Sequence, residues 1–141
     1  MTETPTPNGT LVDSNVFLDI FTEDPQWSPW SEAQLGEALD RGPTLVNPII
    51  YAEISIRFER IEELEHALPE EIEREPLPWA AAFLAGKCFT TYRRRGGRKR
   101  SPLPDFYIGA HAAVTGRVLL TRDATRYRSL LPRLALIAPE A

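Results

Sequence analysis

The sequence predicts an α/β domain in which a short parallel sheet is covered by helices on both faces. Three observations predict it. Short apolar runs alternate with longer helical stretches along the chain, the order that crossover helices require. The short runs are apolar throughout, as strands buried on both faces are. With 141 residues, 43% of them apolar and 26% charged, the chain has the material for one domain with a full core.

Residues 1–9, MTETPTPNG, are polar and proline-rich and are expected to form a disordered tail, leaving 10–141 as a single domain. They lack the basic and apolar segments of a signal peptide. A strand at about 10–12 runs straight into a helix at 14–21. A second helix, at about 29–40, stops at Arg41-Gly42-Pro43, where glycine and proline end a helix. Thr44-Leu45-Val46 is a second strand. Pro48 opens a helix through IIYAEISIRFERIEELEHAL, with room for a break, ended by Pro69. Residues 70–78 read as an acidic connector. Residues 79–92 form an alanine-rich helix, and another, DFYIGAHAAVTG, starts from Pro102-Leu103-Pro104 with Pro104 in its first turn. A third strand at 117–121, a short helix at 124–131 and a last strand at 134–137 complete the order.

The net charge of −4 conceals an asymmetry. Residues 1–86 carry 17 acids and 4 bases, a balance of −13, and residues 87–141 carry 12 bases and 3 acids, a balance of +9. Six bases fall in the eight-residue block RRRGGRKR: Arg93, Arg94, Arg95, Arg98, Lys99 and Arg100. Such a block is either a solvated segment or a loop that contacts nucleic-acid phosphates. The single cysteine, Cys88, allows no internal disulfide and reads as a core filler, in keeping with a cytoplasmic protein. No apolar run approaches the roughly 18 residues that suggest a membrane span. His66 and His111 fall in helices, where surface or packing roles are expected.

Right-handed crossovers place the carboxyl ends of all parallel strands on one edge, where ligands of such folds bind. Asp13 and Asp123 directly follow strands and would share that edge, although either could serve only as a helix cap. On a helical wheel of about 100° per residue, Glu53 falls between Ile49 and Ile50, with Ile54, Ile56 and Ile61 along the same stripe. An acid inside an apolar stripe is costly unless paired, protonated or metal-bound. Asp105 opens its helix in register with Ile108, Gly109 and Ala112. A favourable helix-dipole contact would explain it, and so would convergence on the same edge. Four carboxylates together repel one another without a cation, and an all-oxygen set suits Mg²⁺ or Mn²⁺. Asn15 and Thr121 stand beside them as polar support. Metal-assisted hydrolysis of a phosphodiester follows as the expected chemistry. The basic block and Arg122, Arg126 and Arg128 would form a positive rim around the site.

The first strand with Asp-Ser-Asn-Val, the glutamate of NPIIYAEISI, the aspartate of LPDFYIGAHA and the LLTRDATRYRSLLP segment together resemble a PIN domain, more narrowly a VapC-type toxin of a type II toxin–antitoxin pair. The resemblance covers about residues 10 to 138. It implies a three-layer α/β/α sandwich with a short central parallel sheet and a Mg²⁺- or Mn²⁺-dependent endoribonuclease. It further implies acidic ligands at Asp13, Glu53, Asp105 and Asp123, with Asn15 and Thr121 at the supporting positions. A homodimer held by a cognate antitoxin, and structured RNA such as tRNA as substrate, are implied as well. Two positions depart from the family pattern. Arg126 stands where some members carry a further acid, and Tyr127 replaces a phenylalanine in what reads as a conservative packing change.

Other readings fit less well. A receiver domain needs an acid pair after its first strand, and a dehalogenase-type phosphatase needs Asp-x-Asp where this chain has Asp13-Ser14-Asn15. The alternative function is a non-catalytic nucleic-acid-binding α/β domain that uses the basic 93–100 segment and leaves Glu53 without a role.

Overall fold

The computed structural model describes residues 8–100 and 103–139. Residues 1–7 of the expected tail, Ser101 and Pro102 lie outside the described residues. Asn8 and Gly9 already belong to the fold, since the Asn8 amide donates to Gly116 O at 3.0 Å and the Val118 amide donates to Gly9 O at 3.1 Å.

The elements follow the order β1 (Thr10–Val12), α1 (Ser14–Phe21), α2 (Ser28–Arg41), β2 (Thr44–Val46), α3 (Pro48–Ser55), α4 (Ile61–Ala67), β3 (Glu73–Arg74), α5 (Trp79–Arg94), α6 (Pro104–Thr115), β4 (Val118–Leu120), α7 (Ala124–Leu130) and β5 (Leu136–Ile137). All strand pairs are parallel and the sheet order is β3-β2-β1-β4-β5. The expected α/β architecture is borne out. From β1 the chain moves outward to β2 and β3, then crosses to β4 and β5 on the other side. Right-handed crossovers therefore put α1–α4 on one face and α5–α7 on the other.

Every residue of β1, β2 and β4 is buried, which is why those segments read as unbroken apolar runs. Their core partners include Phe17, Leu35, Ile50, Ile54 and Ile108. A second apolar cluster, Ala81, Ala85, Phe106 and Ala110, seals α5 against α6. The small residues let the two helices approach closely. Gly116 ends α6 in the left-handed region at φ 69°, a conformation that glycine reaches without a Cβ penalty.

The break for which the stretch after Pro48 left room is real: α3 stops at Ser55 and a turn carries Phe58 back onto Phe21, with ring centroids 5.6 Å apart. Two other expectations need correction. Ile56 and Ile61 are 82% and 63% exposed, so the apolar stripe around Glu53 reduces chiefly to Ile50 and Ile54. The acidic connector contains β3, a two-residue edge strand paired with β2. Both β3 side chains are exposed, so no apolar run marked it.

Candidate active site

In the order β3-β2-β1-β4-β5 the direction of winding reverses between β1 and β4. The crevice beyond the carboxyl ends of such a strand pair is the usual ligand site of open α/β sheets. Val12 pairs with Leu120, so the next residues, Asp13 and Thr121, stand side by side at that point. The Asp13 amide donates to Leu120 O at 2.9 Å, which extends the pairing one step past the strand.

Asp13 caps α1: its Oδ1 accepts from the Ser14 amide at 2.8 Å. Its Oδ2 accepts from the Thr121 hydroxyl and from the Tyr127 hydroxyl, each at 2.8 Å. The carboxylate is only 3% exposed. Burial raises its pKa above the ordinary value, the Tyr127 and Thr121 hydrogen bonds oppose that rise, and the nearby charge of Asp105 adds to it.

The other three acids reach the same crevice from separate elements. Asp105, in the first turn of α6, lies 3.4 Å from the Tyr127 hydroxyl, which thus stands between it and Asp13. Glu53, from α3, accepts the Ser14 hydroxyl at 3.0 Å on Oε1. Burial raises the Glu53 pKa, the Ser14 bond opposes this, and the charges of Asp13 and Asp105 push it further up. Asp123 is the N-cap residue of α7 but makes no side-chain capping bond, which leaves its carboxylate directed elsewhere. Its Oδ2 lies 3.1 Å from Arg126 Nε.

Asn15 and Thr121 form the frame behind the acids. Asn15 Nδ2 donates to Thr121 Oγ1 at 3.3 Å, and Asn15 Oδ1 accepts from the Arg122 amide at 3.1 Å. The Asp123 amide donates to Thr121 Oγ1 at 3.0 Å. These bonds fix the turn that presents Asp123.

Two residues take parts that sequence reasoning missed. Tyr127 is more than a packing substitute, because its hydroxyl bonds Asp13, the most buried of the four site acids. Ser14 carries Glu53, and its only sequence signal is its place next to Asp13. The expected arginine rim is also altered. Arg122 holds the buried Asp19 at 2.8 and 3.0 Å and lies over the Trp27 ring. Arg126 Nη1 donates to Asp105 at 2.9 Å.

Within the basic block, Arg93 donates to Gly97 O and Lys99 O at 3.3 and 3.0 Å, and Arg95 donates to Ser129 O at 2.8 Å. These two guanidinium groups shape the turn after α5. Arg94, Arg98, Lys99 and Arg100 are exposed and make no ion pair among the described residues. A cavity of about 550 Å³ lies between this turn and the acids, touching Tyr92, Arg95, Asp105, Arg126 and Tyr127.

The donor set is all oxygen, with no sulfur or imidazole, and its chemistry fits a hard divalent ion. Among the described residues, however, no three Asp, Glu, His or Cys side chains stand close enough to share one ion. Tyr127 and Arg126 lie among the carboxylates.

Fold and site together define a parallel α/β domain with a carboxylate crevice at its topological switch point. The profile of the PIN domain family matches residues 10–128, and the chain belongs to that family. Its fold resembles VapBC2 from Rickettsia felis bound to a DNA fragment from their promoter (TM-score 0.71, 15% identity, covering 93% of this chain and 98% of that one). It also resembles VapBC-1 from nontypeable Haemophilus influenzae (0.68, 17%, 92% and 96%). A toxin–antitoxin complex from Klebsiella pneumoniae is similar as well (0.64, 18%, 94% and 98%). No curated protein matches the sequence.

Proposed function

We propose that this PIN domain is a metal-dependent endoribonuclease, the toxin of a type II toxin–antitoxin pair, acting in the cytoplasm. What supports the reading is a PIN fold in which Asp13, Glu53, Asp105 and Asp123, from four separate elements, line one crevice beside the β1–β4 switch point, with Arg126 between Asp105 and Asp123. The toxin–antitoxin character of the structural neighbours supports a cognate antitoxin as partner. A homodimer and a structured RNA substrate such as tRNA belong to the same proposal. No helix among the described residues is long and apolar enough to cross a membrane.

Asp13, Asp105 and Asp123, with Glu53 at the side, would hold Mg²⁺ or Mn²⁺. Such an ion lowers the pKa of a bound water and offsets charge developing on phosphate. The chain's own residues prepare the site. Thr121 and Tyr127 orient Asp13, and Asn15 holds Thr121 in place. Ser14 fixes Glu53 Oε1, leaving Oε2 to accept a proton from an attacking water. Exposed Arg94, Arg98, Lys99 and Arg100 draw in the substrate polyanion without reading its sequence.

Purified protein incubated with RNA should cleave it when Mg²⁺ or Mn²⁺ is present and stop on addition of EDTA or on Asp13→Asn substitution. Cleavage that persists in EDTA would sink the metal mechanism. The exposed basic turn also favours the binding-only alternative. Under that alternative Glu53→Gln should change nothing measurable, whereas the nuclease reading requires loss of cleavage with RNA binding retained.

A further inference from the structure

Asp105 and Asp123 belong to different helices, and one side chain joins them. Arg126 Nη1 lies 2.9 Å from Asp105 Oδ2, and Arg126 Nε lies 3.1 Å from Asp123 Oδ2. Among the described residues no other Arg, Lys or His side chain pairs with any of the four acids. Arg126 lies one turn after Asp123 on α7, so the backbone keeps its guanidinium at the mouth of the crevice. The exposure gradient runs outward, with side chains 21% exposed at Asp105, 42% at Asp123 and 68% at Arg126.

We propose that Arg126 is a built-in counter-cation: it occupies Asp105 and Asp123 in the metal-free protein and must swing away when a divalent ion takes them. Resting on the metal-site reading above, the inference adds a competitor encoded in the same chain. The guanidinium and the ion draw on the same two carboxylates, and two cations cannot share them at contact range without strong repulsion. The exchange has a low barrier on the arginine side, because a largely exposed side chain regains water as it leaves. The apparent affinity for the ion scales with the fraction of the protein that holds the open arrangement. Once displaced, the five-donor fork remains at the crevice mouth, where a phosphate can take it up in bidentate fashion. Arg126 is thus a positioning residue whose two states track the metal.

Calorimetric titration with Mn²⁺ tests this, using full-length wild type, Arg126→Gln, Arg126→Lys and Asp13→Asn at fixed ionic strength. Arg126→Gln should bind Mn²⁺ about tenfold more tightly, the scale on which a charge-assisted pair acts. Arg126→Lys should fall between it and wild type, since an ammonium cannot make the forked contact. Equal or weaker binding by Arg126→Gln overturns the proposal while leaving the metal site standing. No Mn²⁺ binding by any variant at millimolar concentration overturns both. Wild-type protein supplies a measurement independent of variant folding. The Arg126 Nε–H resonance, identified by its loss in Arg126→Lys, should move to a solvent-exposed position as Mg²⁺ saturates. An unmoved resonance also overturns the proposal.

Discussion

The Tyr127 hydroxyl donates to Asp13 Oδ2 at 2.8 Å, joining residues 114 positions apart and closing α7 onto the end of β1. Tyr127 is 3% exposed, and burial with the neighbouring charges of Asp13 and Asp105 raises its pKa, so it stays a neutral donor. Tyr127→Phe leaves the ring packing intact and removes only this donor. A loss of about 1–3 kcal/mol in urea unfolding is expected, the cost of leaving a buried carboxylate short of a partner. A variant as stable as wild type would mean that Thr121 and Ser14 suffice.

Asp13 and Glu53 set the pH dependence of the metal-free protein. Both folded-state pKa values are raised above the ordinary 3.8 and 4.5. Between those values and the raised ones, the folded state binds more protons than the unfolded state, so stability falls as pH rises. Melting temperature measured from pH 4 upward in EDTA should decline more steeply for wild type than for Asp13→Asn. Saturating Mg²⁺ should cancel the decline, because an ion favours the ionised carboxylates. A parallel decline in both proteins would remove Asp13 from the account.

Glu75 works in the opposite sense. Arg117 grips it at 3.0 and 2.6 Å, and fully buried His111 reaches it at 2.7 Å. The Arg117 hydrogen bonds are the chief reason its pKa falls to about 2 from the ordinary 4.5. Asn47 Oδ1 accepts from the Ile50 amide, so its amide nitrogen faces His111 Nδ1. Nδ1 is therefore the acceptor, and Nε2 carries the proton given to Glu75. Stability from Glu75 is full above pH 4.5 and is lost as pH falls toward about 2. Glu75→Gln should lower stability at pH 7 and flatten this acid limb. An unchanged acid limb would mean that another carboxylate governs it.

The basic block divides into two parts. Arg94→Gln, Arg98→Gln and Arg100→Gln combined should weaken RNA binding and reduce the salt slope by about 2, at roughly 0.7 per phosphate contact on a single strand. Melting temperature should barely move. Arg95→Gln, which loses its bond to Ser129 O, should instead cost about 1 kcal/mol of stability. An unchanged salt slope in the triple variant would take this turn out of the RNA path.

The legible parts of the sequence were those with a local signature. All four predicted strands and most helix bounds fall within a residue or two of expectation, and burial on both faces writes β1, β2 and β4 as apolar runs. Asp13 was visible as a cap and a strand-end acid at once, and it is both in geometry. The wheel around Glu53 pointed the right way partly for a wrong reason, since Ile56 and Ile61 belong to a turn and to another helix. β3 had no signature, because two exposed residues on an edge need only backbone pairing.

The sequence by itself determined the order of strands and helices, the family, and the placing of acids after β1 and β4. Each of these depends on neighbours within a turn or a strand, where periodicity and capping leave a readable pattern. Tertiary structure alone decided that Tyr127 holds Asp13, that Ser14 holds Glu53 and that Arg126 bridges Asp105 and Asp123. It also turned Arg93, Arg95 and Arg122 from a free positive rim into internal ties. A hydroxyl or guanidinium carries no mark of its partner in the sequence. Only when the sheet brings β1 beside β4 do the distances select which donor meets which acid.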